Sequence, residues 1–124
     1  MNKFIGEITD IQSLERLNLI KCKVGSQTVN VLMLEMNIDL KPGKKAELLI
    51  KPTAISISGE RCSFENSLRG QISEINKGEI LSSITVDVEG FEIECIMLSE
   101  YDNFEKNVFV MFKANDVAIG KVFE

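Results

Sequence analysis

The sequence contains no histidine and no tryptophan, one tyrosine, two prolines and three cysteines in 124 residues. Without histidine it lacks the commonest general base and the commonest metal ligand. Cys22, Cys62 and Cys95 form no C-x-x-C pair, and an odd number argues against a disulfide framework. Free thiols in a reducing compartment are the expectation. Positive charge is scarce as well. Lys and Arg total 14 against 19 Asp and Glu, a net charge of −5, which denies the chain the broad basic face of a duplex-binding module. Aromatic residues, at 6 %, are too few for the stacking platforms of single-strand nucleic-acid binding. No apolar run approaches the roughly 20 residues that span a bilayer. The opening MNKFIGEITD lacks the basic segment and apolar stretch of a secretory signal. A cytoplasmic protein with no nucleic-acid or membrane partner is expected, and the composition supplies little of what an enzyme needs.

What is present is a core and a repeat. Hydrophobic residues make up 44 % of the chain, enough to pack an interior. Gly6-Glu7-Ile8-Thr9-Asp10-Ile11 returns 64 residues later as Gly70-Gln71-Ile72-Ser73-Glu74-Ile75. The same offset carries Asn2 onto Asn66, Ile20 onto Ile84, Val24 onto Val88 and Met33-Leu34 onto Met97-Leu98. Two residues then drop out, so that Lys51 falls on Lys113 and Ile57 on Ile119. The expected organisation is two copies of one unit, 1–60 and 64–124. Their charges differ: residues 1–62 carry nine basic and seven acidic side chains, residues 63–124 five and twelve. An anion would find the first copy the better host.

Each unit reads as strands. Phe4–Ile11, Leu17–Val24 and Val29–Leu34 alternate loosely, with the turn pair Gly25-Ser26 marking a hairpin. One helical turn is expected over Glu35–Leu40, broken by Pro42-Gly43. Ala46–Ile50 is a strand, Lys51-Pro52-Thr53 a corner, and Ala54–Ser58 a last short strand. The second unit follows the same order through Leu68–Ile75, Leu81–Glu89, Phe91–Leu98, Val108–Phe112 and Val117–Val122. This pattern predicts an all-β protein made of two tandem OB-like five-stranded Greek-key barrels packed together. Barrels this small bury little apolar area alone. Phe64, Phe104, Phe109, Phe112 and Phe123, all in the second unit, point to a homo-oligomer.

Outside the strands, the same residue types recur. Each unit opens with an Asn four residues before its first Gly, Asn2 and Asn66, and Ser63 stands just ahead of the second. Each ends on a Lys followed two residues later by a small polar side chain: Lys51 with Thr53, and Lys113 with Asn115. None is a good nucleophile without a base. As a set of donors they suit a small oxyanion, whose hydration shell they would replace, with lysine supplying the full charge a dianion needs. Taken as structure alone, an Asn before a strand satisfies turn backbone and a Lys-Pro-Thr corner is solvated.

These motifs resemble the molybdate-binding Mop or TOBE domains, called molbindins when free-standing. The family's opening S-A-R-N-x-L-x-G is matched by Ser63-Phe64-Glu65-Asn66-Ser67-Leu68-Arg69-Gly70 and, shortened, by Asn2-Lys3-Phe4-Ile5-Gly6. Its closing K-A/P-S-x-V-I-L is matched by Lys51-Pro52-Thr53-Ala54-Ile55-Ser56-Ile57 and by Lys113-Ala114-Asn115-Asp116-Val117-Ala118-Ile119. The resemblance implies molybdate or tungstate bound between barrels, with no organic cofactor and no cation held directly by the protein. It also implies a trimer or dimer and a task in storage or homeostasis. Its site residues would be Lys51, Thr53, Lys113, Asn115, Ser63, Asn66 and Asn2, completed by backbone amides. The chain departs from the pattern in three places. Glu65 stands where the family has arginine, nothing precedes Asn2 but Met1, and the hydroxyl-rich third strand is replaced by Val29–Leu34 and Ile93–Leu98. Those departures favour the alternative, an assembly or regulatory module of the same fold that has lost its anion.

Overall fold

A computed structural model describes residues 1–35 and 38–123. Ten strands make two five-stranded antiparallel sheets. In the first half they are β1 (Asn2–Leu14), β2 (Leu17–Val24), β3 (Gln27–Met33), β4 (Lys45–Ile50) and β5 (Ser56–Ser58). The second half supplies β6 (Asn66–Asn76), β7 (Leu81–Val88), β8 (Phe91–Leu98), β9 (Asn107–Phe112) and β10 (Ala118–Phe123). One sheet runs β10-β4-β1-β2-β3 and the other β5-β9-β6-β7-β8. Both have the same strand order, and each takes one of its two edge strands from the opposite half. β5 pairs with β9 (Ile57 opposite Val110), and β10 pairs with β4 (Ile119 opposite Leu48). The first half therefore keeps four of its strands and gives β5 to the other sheet, and the second half keeps four and gives away β10.

β1 and β6 are the spines of the two sheets. β1 pairs with β4 along its first half, from Asn2 opposite Ile50 to Glu7 opposite Lys45, and with β2 from Glu7 onward. A bulge between Ile8 and Asp10 marks the changeover, and β6 has its own between Ile72 and Glu74. A bulge bends and overtwists a strand, so one strand can serve two partners on a curved sheet. The repeated opening motif now has a reason. Asn2, Phe4, Gly6 and Ile8 lie two apart and all point inward, as do Asn66, Leu68 and Gly70. The glycine is required by close approach. A Cβ on Gly70 would lie 2.6 Å from Val86 Cγ1 and 2.8 Å from the Asp87 carbonyl oxygen, and one on Gly6 3.0 Å from Leu48 Cδ1.

The inner faces of both sheets meet in one apolar core, from Phe4, Ile20, Val31 and Leu48 to Leu68, Val86, Ile93 and Phe112. The phenylalanines of the second half do not form the exposed surface expected from the sequence. Phe112 is a core residue, Phe64 and Phe104 are half-buried, and Phe109 and Phe123 lie beneath Arg61 and Lys121. The most exposed large apolar side chains are instead Leu14, Ile80, Leu34, Met1 and Tyr101. The helical turn expected over Glu35–Leu40 includes residues 36 and 37, which lie outside the described residues. Its counterpart in the second half is a 3-10 turn at Ser99–Tyr101. Among the described residues no helix is long and apolar enough to cross a membrane.

Forcing a methyl group into the Gly70 contact overpacks the core, which costs about 1–3 kcal/mol. Gly70→Ala should lose more stability than Gly6→Ala in urea unfolding, because its nearest neighbours are closer and one of them is backbone.

Candidate functional site

The two lysine corners fold alike. Lys51 and Lys113 are extended residues (φ −67° and −83°), each followed by a single 3-10 turn, Pro52–Ala54 and Ala114–Asp116. The Ala54 N–H donates to the Lys51 carbonyl at 2.9 Å, and the Asp116 N–H to the Lys113 carbonyl at 3.0 Å. Each turn packs on the outermost strand of the opposite sheet, Ala114–Asp116 on β3 and Pro52–Ala54 on β8.

The opening asparagines reach those same outer strands. Asn66, 1 % exposed, donates through Nδ2 to the Asn30 carbonyl at 2.9 Å and accepts the Asn30 N–H at 2.6 Å. Asn2 makes the equivalent pair with Glu94, both at 2.8 Å. A side-chain amide has the donor–acceptor pattern of a peptide, so each Asn pairs with an outer strand as another strand would. Gln27 adds a third clip, accepting the Arg69 N–H at 2.8 Å and donating to its carbonyl at 3.2 Å. At the corresponding place in the other half, Phe4 stacks on Phe91 with ring centroids 5.0 Å apart.

Of the residues singled out from the sequence, Lys51 and Asn115 come together. They line one cleft of about 280 Å³ with Met1, Leu49, Ala54, Asp116 and Ala118, so two halves contribute to it. Lys113, Thr53 and Ser63, exposed as Lys51 and Asn115 also are, line neither this cleft nor the next. Asn2 and Asn66 are spent on backbone. A second cleft, of about 450 Å³, is lined by Leu19, Lys21, Asn30, Leu32, Glu65 and Ala114. Lys21 and Asn30 escaped sequence reasoning because each sits mid-strand, where nothing local marks it. Glu65 was visible as a departure from the motif, and here its Oε1 accepts the Ala114 N–H at 3.1 Å.

The titratable groups are structural. Glu89, at the β7–β8 turn with φ +51°, reaches across to the β2–β3 turn of the other half. It accepts from Ser26 Oγ at 2.5 Å, from Gln27 Nε2 at 3.2 Å and from the Ser26 N–H at 3.2 Å. Those hydrogen bonds, the Ser26 hydroxyl first, hold its carboxyl below the usual range. Asp102 is held low by the Ser82 hydroxyl at 2.7 Å and, secondarily, by Lys77 at 3.4 Å. Burial pushes the Cys22 and Cys95 thiols up to about 11, which leaves them protonated and unreactive at neutral pH. Among the described residues no three His, Cys, Asp or Glu side chains converge as a metal site would require.

Two measurements check this account. Asn66→Ala strands the Asn30 N–H and carbonyl, and should cost about 2 kcal/mol in denaturant unfolding. Depressed carboxyls stabilise above their unfolded pKa and lose that contribution as pH falls through the folded one. The thermal midpoint should therefore drop as pH is lowered from about 5, and Glu89→Gln or Asp102→Asn should flatten that slope.

The sequence matches no protein-family model and no curated protein. The fold does have a solved counterpart. With a TM-score of 0.87 at 20 % identity, the chain superposes on the cytoplasmic molybdate-binding protein ModG, in a crystal form with molybdate bound. The match covers 96 % of this chain and 94 % of that one, and the two proteins share one fold from end to end.

Proposed function

We propose that the chain binds a small tetrahedral oxyanion of the molybdate or tungstate class, without catalysis, as a molbindin-type protein serving intracellular storage or homeostasis. The observation that carries this reading is the meeting of Lys51 and Asn115, from opposite halves, in one cleft. It occurs in a fold shared with a protein described as binding molybdate. Lysine supplies charge and the amide supplies directed donors, which is what a desolvated dianion needs.

In this reading each repeat unit, 1–60 and 64–124, forms an OB-like barrel closed by the strand it receives from the other. Lys51, Lys113, Thr53, Asn115 and Ser63 are the anion's donors. Asn2 and Asn66 position the corners by fixing the outer strands on which those corners rest. The exposure of Lys113, Thr53 and Ser63 in the single chain fits sites completed between chains, in a homodimer or homotrimer. No organic cofactor, nucleic acid or membrane enters the scheme, and its place is the cytoplasm.

One observation favours the alternative of an assembly or regulatory module that has lost its anion. Carboxylates stand at both clefts, Asp116 at the first and Glu65 at the second. Calorimetric titration with molybdate, tungstate and sulfate separates the two readings, because the alternative requires no saturable heat from any of them. Lys51→Ala should weaken molybdate binding about tenfold or more, the worth of one charge-assisted hydrogen bond. Thr53→Ala should cost less, and equal losses would remove Lys51 from its assigned role.

A further inference from the structure

We infer that Glu65 is an internal occupant of a second oxyanion position, formed by Lys21, Asn30 and the Ala114 N–H, and that its carboxylate closes that position to external anions. The inference rests on the oxyanion reading above and deepens it, because the position lies between the Ser63–Asn66 opening and the Lys113 corner that the reading already assigns to the anion.

The cleft between β2, β3 and the second lysine corner holds three kinds of donor. Lys21 is half-buried on β2 and contributes a cation; Asn30 contributes an amide from β3; Ala114 contributes a backbone N–H. Among the described residues that line this cleft, Glu65 is the only acidic one. Glu65 Oε1 holds the Ala114 N–H at 3.1 Å, while Asn30 Nδ2 donates at 3.0 Å to the Glu65 main-chain carbonyl and so fixes the segment in place. An oxyanion brought to that N–H would stand within a few ångströms of a carboxylate, and like charges at that range repel strongly outside bulk water.

The repeat provides an internal comparison. At the positions equivalent to Glu65, Ala114, Lys21 and Asn30 the other half has Met1, Pro52, Thr85 and Glu94. Proline has no N–H to offer, and neither threonine nor glutamate brings a cation. The donor set therefore exists in one half only, and that is the half where a glutamate fills it. Glu65 is itself an exposed residue, so its side chain has room to leave when a stronger competitor arrives or when its charge is removed.

The test is calorimetric titration of the full chain with sodium molybdate, comparing wild type with E65A, E65Q, E65A/K21A and E79Q. Amide NMR shifts of Ala114 are followed in parallel, and thermal unfolding shows that each variant is folded. E65A should either bind molybdate on the order of tenfold more tightly or take up one further anion per chain, with the Ala114 amide shifting on titration. E65Q removes the charge while keeping an acceptor for Ala114, so it should lie between E65A and wild type, and K21A should cancel the gain. E79Q removes the same charge outside both clefts and should change nothing. If wild type and E65A bind alike, the internal occupant is refuted and the oxyanion reading survives. An equal gain in E79Q refutes it too, because net charge alone would then be responsible. If neither wild type nor E65A binds, both readings fall together.

Discussion

A sheet's outer strand carries backbone donors and acceptors that must be met wherever another layer covers them, and in this protein two asparagine side chains meet them. Asn66 pairs with both backbone groups of Asn30 on β3, and Asn2 does the same for Glu94 on β8. An unmade hydrogen bond at such a covered group costs about 1–3 kcal/mol. The clips thus tie the two halves together at one residue of each outer strand. The 3-10 turns of the lysine corners pack on those same strands, Ala114–Asp116 on β3 and Pro52–Ala54 on β8.

Exchange of the last strand makes the halves interdependent. β5 completes the sheet built on β6, and β10 completes the one built on β1. The connection between β4 and β5 explains the choice. A tight two-residue loop would fold β5 back on β4, as Gly25-Ser26 folds β3 onto β2. The five residues Lys51–Ile55 instead form an extended lysine and a 3-10 turn, which turns the chain away from β4 and delivers β5 to β9. The corner that was read as a possible ligand site is first of all the device that sends each strand across.

The halves share the asparagine clip and the lysine corner but differ in their other polar contacts. Where Gln27 clips Arg69 in one, Phe4 stacks on Phe91 in the other. Glu89 reaches across to the Ser26 turn with no carboxylate to answer it, since the equivalent residue is Gly25. Two sheets of like strand order tolerate this divergence because an inward glycine, a bulge and a core face depend on shape. The polar groups that differ lie on strand ends and turns, where either a hydrogen bond or an apolar contact satisfies the geometry.

The amino-acid order determined what depends on near neighbours. Alternation of period two, the Gly25-Ser26 turn and the 64-residue recurrence between Gly6 and Gly70 are enough for ten strands in two like series and for matched lysine corners. Strand limits were legible to within a few residues, and Phe91–Leu98 to the residue. Two of the seven residues lining the first cleft, Lys51 and Asn115, were marked by the recurring motif. Partner choice was not. β5 fits β4 or β9 equally well by pattern, and nothing beside Asn66 in the chain says that its amide will meet Asn30. Nor does anything beside Lys21 place it near Glu65 and Ala114. Those pairings join residues tens of positions apart, and only the folded chain, by burying one set of edges and leaving another open, decides among contacts that local chemistry makes equivalent.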